Sequence, residues 1–145
     1  MNLQADTLSL LLVEDSPADV FLVREAMLQE GLKVEMEVAE DGERAIEILD
    51  QVDAGRVMRA PELMLLDINV PRRTGNQVLE RIRSSPRCAH IPVVMISSSD
   101  SPAERNRAFK QGATAYFRKP SNLSEFMELG KLVRELHDQF RRPTA

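Results

Sequence analysis

The sequence predicts an α/β domain, a parallel sheet covered by helices on both faces. Three observations lead there. Apolar runs alternate with helical patterns along the whole of its 145 residues. Three of those runs, at 8–13, 63–66 and 91–96, are nearly unbroken, as expected of strands buried on both faces. Strands and helices also take strict turns, so right-handed crossovers lay them down as a doubly wound sheet.

The first strand is LSLLLV at 8–13. Ser16 before Pro17, with Asp19 three residues on, starts a helix that runs to about Gly31: a cap, a first-turn proline and an acid at the positive dipole end. Residues 33–39 alternate, Val34, Met36 and Val38 against Glu35 and Glu37, which suits an edge strand with one wet face. A helix over 42–51 follows, with Ala45, Ile46 and Leu49 on its apolar side, and then an exposed loop to Pro61. The buried strand at 63–66 ends in Asp67. Residues 75–85 form a helix carrying Val78, Leu79 and Ile82. The strand at 91–96 ends in Ser97-Ser98-Ser99. Ser101 and Glu104 have capping-box spacing and open a helix that stops near Gly112. A short strand at 115–118 precedes Lys119-Pro120. Asn122 and Glu125 then open a last helix to about residue 140.

That last helix is apolar over an unusually wide arc. Phe126, Leu129, Val133, Leu136 and Phe140 form one stripe, and Leu123, Met127 and Leu132 widen it beyond what covering a sheet requires. The expected use of the surplus is a homodimer, or a docking surface for a partner.

Composition excludes several classes. With 43% hydrophobic and 29% charged residues the chain is not disordered. Its net charge of −4, from 19 basic against 23 acidic residues, argues against a broad basic field for nucleic acid or a membrane surface. The lone Cys88 excludes a disulfide scaffold and fits a reducing compartment. The N-terminal apolar run lacks a basic flank and stops at Glu14 and Asp15, too soon for a signal peptide or a span. The expectation is a cytoplasmic single domain over 8–140, between a short arm (1–7) and a tail (141–145). The glycines are scattered, so no dinucleotide fingerprint or P-loop is present. His90 and His137 lack the spacing of a zinc site.

Chemistry gathers at the strand ends. Ligands of open α/β sheets bind outside the carboxyl ends of the strands. Four such ends carry Glu14 and Asp15, Asp67, Ser97, and Lys119. Helix capping can account for Asp15 alone, but not for the whole set. Neighbouring carboxylates raise one another's pKa, a hard divalent cation such as Mg²⁺ relieves them, and a carboxylate can attack phosphorus. Phosphoryl transfer needs mainly positioning and charge neutralisation, which Mg²⁺ and one lysine supply, while Ser97 offers a hydroxyl donor.

In these residues the sequence resembles the receiver domains of two-component response regulators. The likeness rests on Glu14-Asp15, on Asp67-Ile68-Asn69-Val70-Pro71 with Gly75, on Ser97, and on Tyr116 ahead of Lys119-Pro120. It covers about residues 8–138. The resemblance implies a flavodoxin-like five-stranded sheet of order 2-1-3-4-5 with five helices. It implies a phosphorylation-controlled switch with Asp67 as phosphoacceptor and with Lys119 and Ser97 as further catalytic residues. Asp15, Asp67 and the Asn69 carbonyl would ligate Mg²⁺, with Glu14 holding the metal's waters; Ser97 and Tyr116 would form the switch pair. The Lys119–Pro120 peptide becomes a cis candidate. The implied partners are a sensor histidine kinase and either a histidine phosphotransfer protein or a downstream target. The long loop over 51–62 also resembles the small regulators paired with phytochrome-type kinases. The alternatives are a phosphorylation-independent scaffold and an intermediate phosphorelay carrier.

Overall fold

The computed structural model describes residues 7–57 and 59–140; the arm before residue 7 and the tail at 141–145 lie outside them. Five parallel strands, β1 (Leu8–Val13), β2 (Val34–Ala39), β3 (Leu63–Asp67), β4 (Val93–Ser97) and β5 (Ala115–Arg118), stand in the order β2-β1-β3-β4-β5. Between them run α1 (Pro17–Gln29), α2 (Gly42–Asp53), α3 (Gly75–Arg83) and α4 (Pro102–Lys110). The fifth helix is divided at Met127 into α5 (Leu123–Phe126) and α6 (Glu128–Phe140). This is the doubly wound, flavodoxin-like arrangement expected. No helix among the described residues is long and apolar enough to cross a membrane.

Alternation along each strand builds two cores. Leu8, Leu10 and Leu12 face Val23, Ala26 and Met27 of α1 and Leu129 and Val133 of α6. Leu11 and Val13 face the other way, toward Leu49 of α2 and Leu79 and Ile82 of α3. β3 and β4 are buried along their whole length, Met64 and Met95 included, while β2 keeps Glu35 and Glu37 in water. An edge strand with one wet face needs no second apolar surface.

Most of the last helix's apolar arc is used internally. Phe126, Leu129, Val133 and Leu136 are buried, and Met127 and Leu132 pack at the margin of the same core. Only Leu123 and Phe140 stay exposed, at 57% and 42%. α2 runs two residues past its expected end because Val52 is buried in the core and Asp53 accepts from Arg81 and Ser85, clamping α2 to α3. All peptide bonds among the described residues are trans, Lys119–Pro120 included, against the cis candidacy.

α1 and α6 approach main chain to main chain at Gly130. A Cβ there would lie 2.3 Å from the Ala26 carbonyl oxygen. Arg134, one turn on, donates to the Glu30 carboxylate and main-chain oxygen, closing a helix end that has no basic residue of its own. Gly130→Ala should therefore lower stability by about 1–3 kcal/mol through overpacking, although alanine is the better helix former by about 1 kcal/mol. Chemical denaturation checks this: the midpoint should fall, and an unchanged or raised midpoint would contradict the close approach.

Candidate functional site

The site lies where the strand order reverses, between β1 and β3. Val13 pairs with Leu66, so the residues that follow, Glu14 and Asp67, emerge side by side. Asp67 pairs with Ile96, which brings Ser97 to the same edge, and Ser97 pairs with Arg118, which delivers Lys119. The main chain continues the ladder there: Lys119 donates its N–H to the Ser97 carbonyl at 2.7 Å.

Three carboxylates gather about one ammonium. Lys119 Nζ donates to Glu14 Oε1 at 2.9 Å, to Asp67 Oδ2 at 2.9 Å and to Asp19 Oδ2 at 2.7 Å. Glu14 and Asp67 are buried, whereas Asp15 is exposed. One oxygen each from Glu14, Asp15 and Asp67 lies within 4.8 Å of the others. These are hard oxygen donors carrying more negative charge than one lysine balances, and they fit a small divalent cation. Asn69 is exposed on the same loop and donates its main-chain N–H to Asp67 Oδ1 at 2.9 Å.

The loop after β3 is held in an unusual shape. Arg72 and Arg73 adopt positive φ, 51° and 82°, a conformation that costs about 1–2 kcal/mol for a residue with a Cβ. Gly75 lets α3 start hard against the strand end: a Cβ there would sit 2.7 Å from the Asp67 carbonyl oxygen. Thr74 and Gln77 close a reciprocal capping box that fixes the start of α3.

Burial pushes the Glu14 carboxyl up to about 7; the Lys119 hydrogen bond pulls it back only in part, and neighbouring Asp67 pushes it further. Burial alone would lower Lys119, but its bonds to Asp19, Asp67 and Glu14 hold the ammonium well above its ordinary range. A carboxyl whose pKa is raised on folding binds its proton more tightly in the folded state. Its stabilising contribution is present below the ordinary value of 4.5 and is lost as pH rises toward about 7. A cation at this site must displace that proton. Divalent-cation affinity should therefore climb with pH up to about 7 and level off above it, with proton release on the acid side. Calorimetry in buffers of different ionisation enthalpy reads that proton directly, and a pH-independent affinity would remove Glu14 from the site.

Ser97 and Tyr116 stand beside this cluster. Ser97 is fully buried and its hydroxyl donates to Glu104 Oε1 at 2.8 Å while accepting from the Ser99 N–H. The Tyr116 ring packs against the α2–α3 core, and its hydroxyl donates to the Ser99 carbonyl at 2.9 Å. The Arg105 guanidinium covers the ring at 4.9 Å.

All the expected strand-end residues therefore meet at one edge. Two partners were not anticipated there. The pattern marks Asp19 as a helix-start acid and Glu104 as the second half of a capping box, and nothing local distinguishes those duties from the ones they perform. His90 and His137 line a depression with Pro61 and Phe140, apart from the strand-end cluster, and Cys88 is buried in the core.

Known proteins resemble this chain in sequence and in shape. The profile of the response regulator receiver domain matches residues 10–130. Response regulator Rcp1 of Synechocystis sp. is 32% identical over 120 residues, covering 83% of this chain and 82% of Rcp1. The phosphorylated cyanobacterial phytochrome response regulator RcpA superposes with a TM-score of 0.79 at 32% identity, over 89% of this chain and 92% of RcpA. The Mn²⁺-bound form of Rcp1 superposes with a TM-score of 0.78 at 29% identity, over 94% and 96% of the two chains.

Proposed function

The chain belongs to the response regulator receiver family of two-component systems, and we propose that Asp67 accepts its phosphoryl group from a sensor histidine kinase in a Mg²⁺-dependent reaction. The observation that carries this reading is the placement of Asp67: a buried carboxylate beside Glu14 and Asp15, held by Lys119 on one oxygen and by the Asn69 N–H on the other.

An Asp67 oxygen attacks the phosphorus of the donor's phosphohistidine. The O–P bond forms as the P–N bond breaks, and the imidazole nitrogen leaves with the electron pair. Asp15, Asp67 and the Asn69 carbonyl would hold Mg²⁺, with Glu14 retaining its waters; when bound, the ion neutralises the carboxylates and the equatorial phosphoryl oxygens. Lys119 has three N–H donors and three carboxylate partners, so it can transfer one donor to the phosphoryl group and stay anchored. Ser97 then supplies a hydroxyl to a phosphoryl oxygen, and Tyr116 completes the switch. Acetyl phosphate with Mg²⁺ should add one phosphoryl group per chain by intact mass, and chelation of the metal should prevent it. A chain that stays unmodified would refute the reading.

Similarity to RcpA, a phytochrome response regulator, supports a phytochrome-type kinase as donor. Output passes through protein contacts or onward transfer to a histidine phosphotransfer protein. Self-association would use what the last helix leaves uncovered, Phe140 with Leu123. Sedimentation of the wild type and Phe140→Glu, with and without acetyl phosphate, tests it. Monomers throughout at high micromolar concentration would exclude a homodimer.

A further inference from the structure

The proposed switch has a third member that the capping-box spacing concealed. In a true capping box the acid at the fourth position returns to the main-chain N–H of the cap residue. Here Ser101 does accept from the Glu104 N–H, at 3.4 Å, but the Ser101 N–H goes instead to the Ser99 hydroxyl at 3.1 Å. The Glu104 carboxylate is thereby released from capping. It turns to the end of β4, where it accepts the Ser97 hydroxyl at 2.8 Å and lies 3.4 Å from the Tyr116 hydroxyl.

A serine hydroxyl has one proton to donate. While Glu104 holds it, Ser97 cannot give it to a phosphoryl oxygen on Asp67. We infer that Glu104 is a positioning residue: it keeps the Ser97 proton until phosphorylation competes for it, and passes that release to Tyr116 and α4. The inference rests on the phosphoacceptor reading of Asp67.

The rest of the geometry fits a part that moves. Among the nine residues of α4 only Ala108 is buried, so the helix is lightly held by packing and its first turn depends on polar ties such as this one. Once Ser97 leaves, the Glu104 oxygen loses its shortest donor, and the Tyr116 hydroxyl is near enough to replace it. Either response changes the α4 surface next to Tyr116. Burial raises the Tyr116 phenol, and the neighbouring Glu104 charge contributes to that rise.

Tyr116 is the only tyrosine and the chain has no tryptophan, so fluorotyrosine labelling gives one fluorine signal that reports on this ring alone. Beryllofluoride with Mg²⁺ serves as the phosphoryl mimic, titrated into wild type, Glu104→Ala, Ser97→Ala and the double variant. Glu104→Ala should bind the mimic about three- to tenfold more tightly, because no hydrogen bond to a charged group must first be given up. In the Ser97→Ala background the same substitution should change nothing. Any loss of helix stability at α4 is common to both backgrounds and cancels. The fluorine signal should move in Glu104→Ala before any mimic is added. An equal change in both backgrounds, or none in either, overturns the role of Glu104. Wild type that binds no mimic overturns the phosphoacceptor reading, and this inference with it.

Discussion

Asp67→Asn is expected to abolish phosphoryl labelling from acetyl phosphate while leaving the domain folded. Asparagine keeps the size of the side chain and an oxygen acceptor for the Asn69 N–H, now 2.9 Å from Asp67 Oδ1. It removes the anionic nucleophile, and an amide attacks phosphorus far too weakly to substitute. The fold should survive because the lysine is not left alone. Lys119 retains Glu14 and Asp19, so the substitution does not strand a buried charge, the costly way to break such a cluster. It also removes one of several like charges packed together. Intact mass after incubation with donor and Mg²⁺ reads the result, and circular dichroism checks the fold. Labelling at the wild-type level would place the acceptor elsewhere.

Asp15→Asn should weaken Mg²⁺ binding at least tenfold to a hundredfold, about the range seen when even a residue supporting a ligand is lost. Glu14 and Asp67 are already engaged by Lys119, whereas Asp15 is exposed and has no share in that ammonium. Its charge is free for an incoming cation, so losing it should fall almost wholly on metal affinity. Stability without metal should change by no more than about 0.5 kcal/mol, as at other exposed positions. Thermal unfolding across a Mg²⁺ titration separates the two effects. Unchanged affinity would mean that the ion is held without Asp15.

Glu14 and Asp15, adjacent acids in the sequence, acquire different chemistry. Glu14 is buried, and its pKa rises to about 7; Asp15 points to solvent beside it. Strand alternation predicts that neighbours at a strand end diverge, but not which of them the surrounding chain will close over.

By itself the sequence determined the layers and the site's location. Unbroken apolar runs at β1, β3 and β4 demand burial on both faces, and the alternation of β2 demands an edge, so helices must cover both sides of a parallel sheet. Parallel strands direct all their carboxyl ends to one edge, which is why Glu14, Asp15, Asp67, Ser97 and Lys119 were legible as one cluster although they lie far apart in the chain. The strand order came from the likeness of those residues to receiver domains, and the fold agrees with it. Tertiary structure alone decided the rest. Asp19 and Glu104 satisfy local helix-start patterns, but the Asp19 carboxylate is drawn away to Lys119, delivered by a strand 100 residues off, and that of Glu104 to Ser97 at the end of the preceding strand. Gly130 looks like a weak point in a helix until α1 is packed against it. The apolar arc of the last helix suggested a partner, yet folding buried Leu136 within the domain and left little more than Leu123 and Phe140 outside. Periodicity specifies which face of an element turns inward; what that face meets depends on how the other elements pack, and no local pattern contains that information.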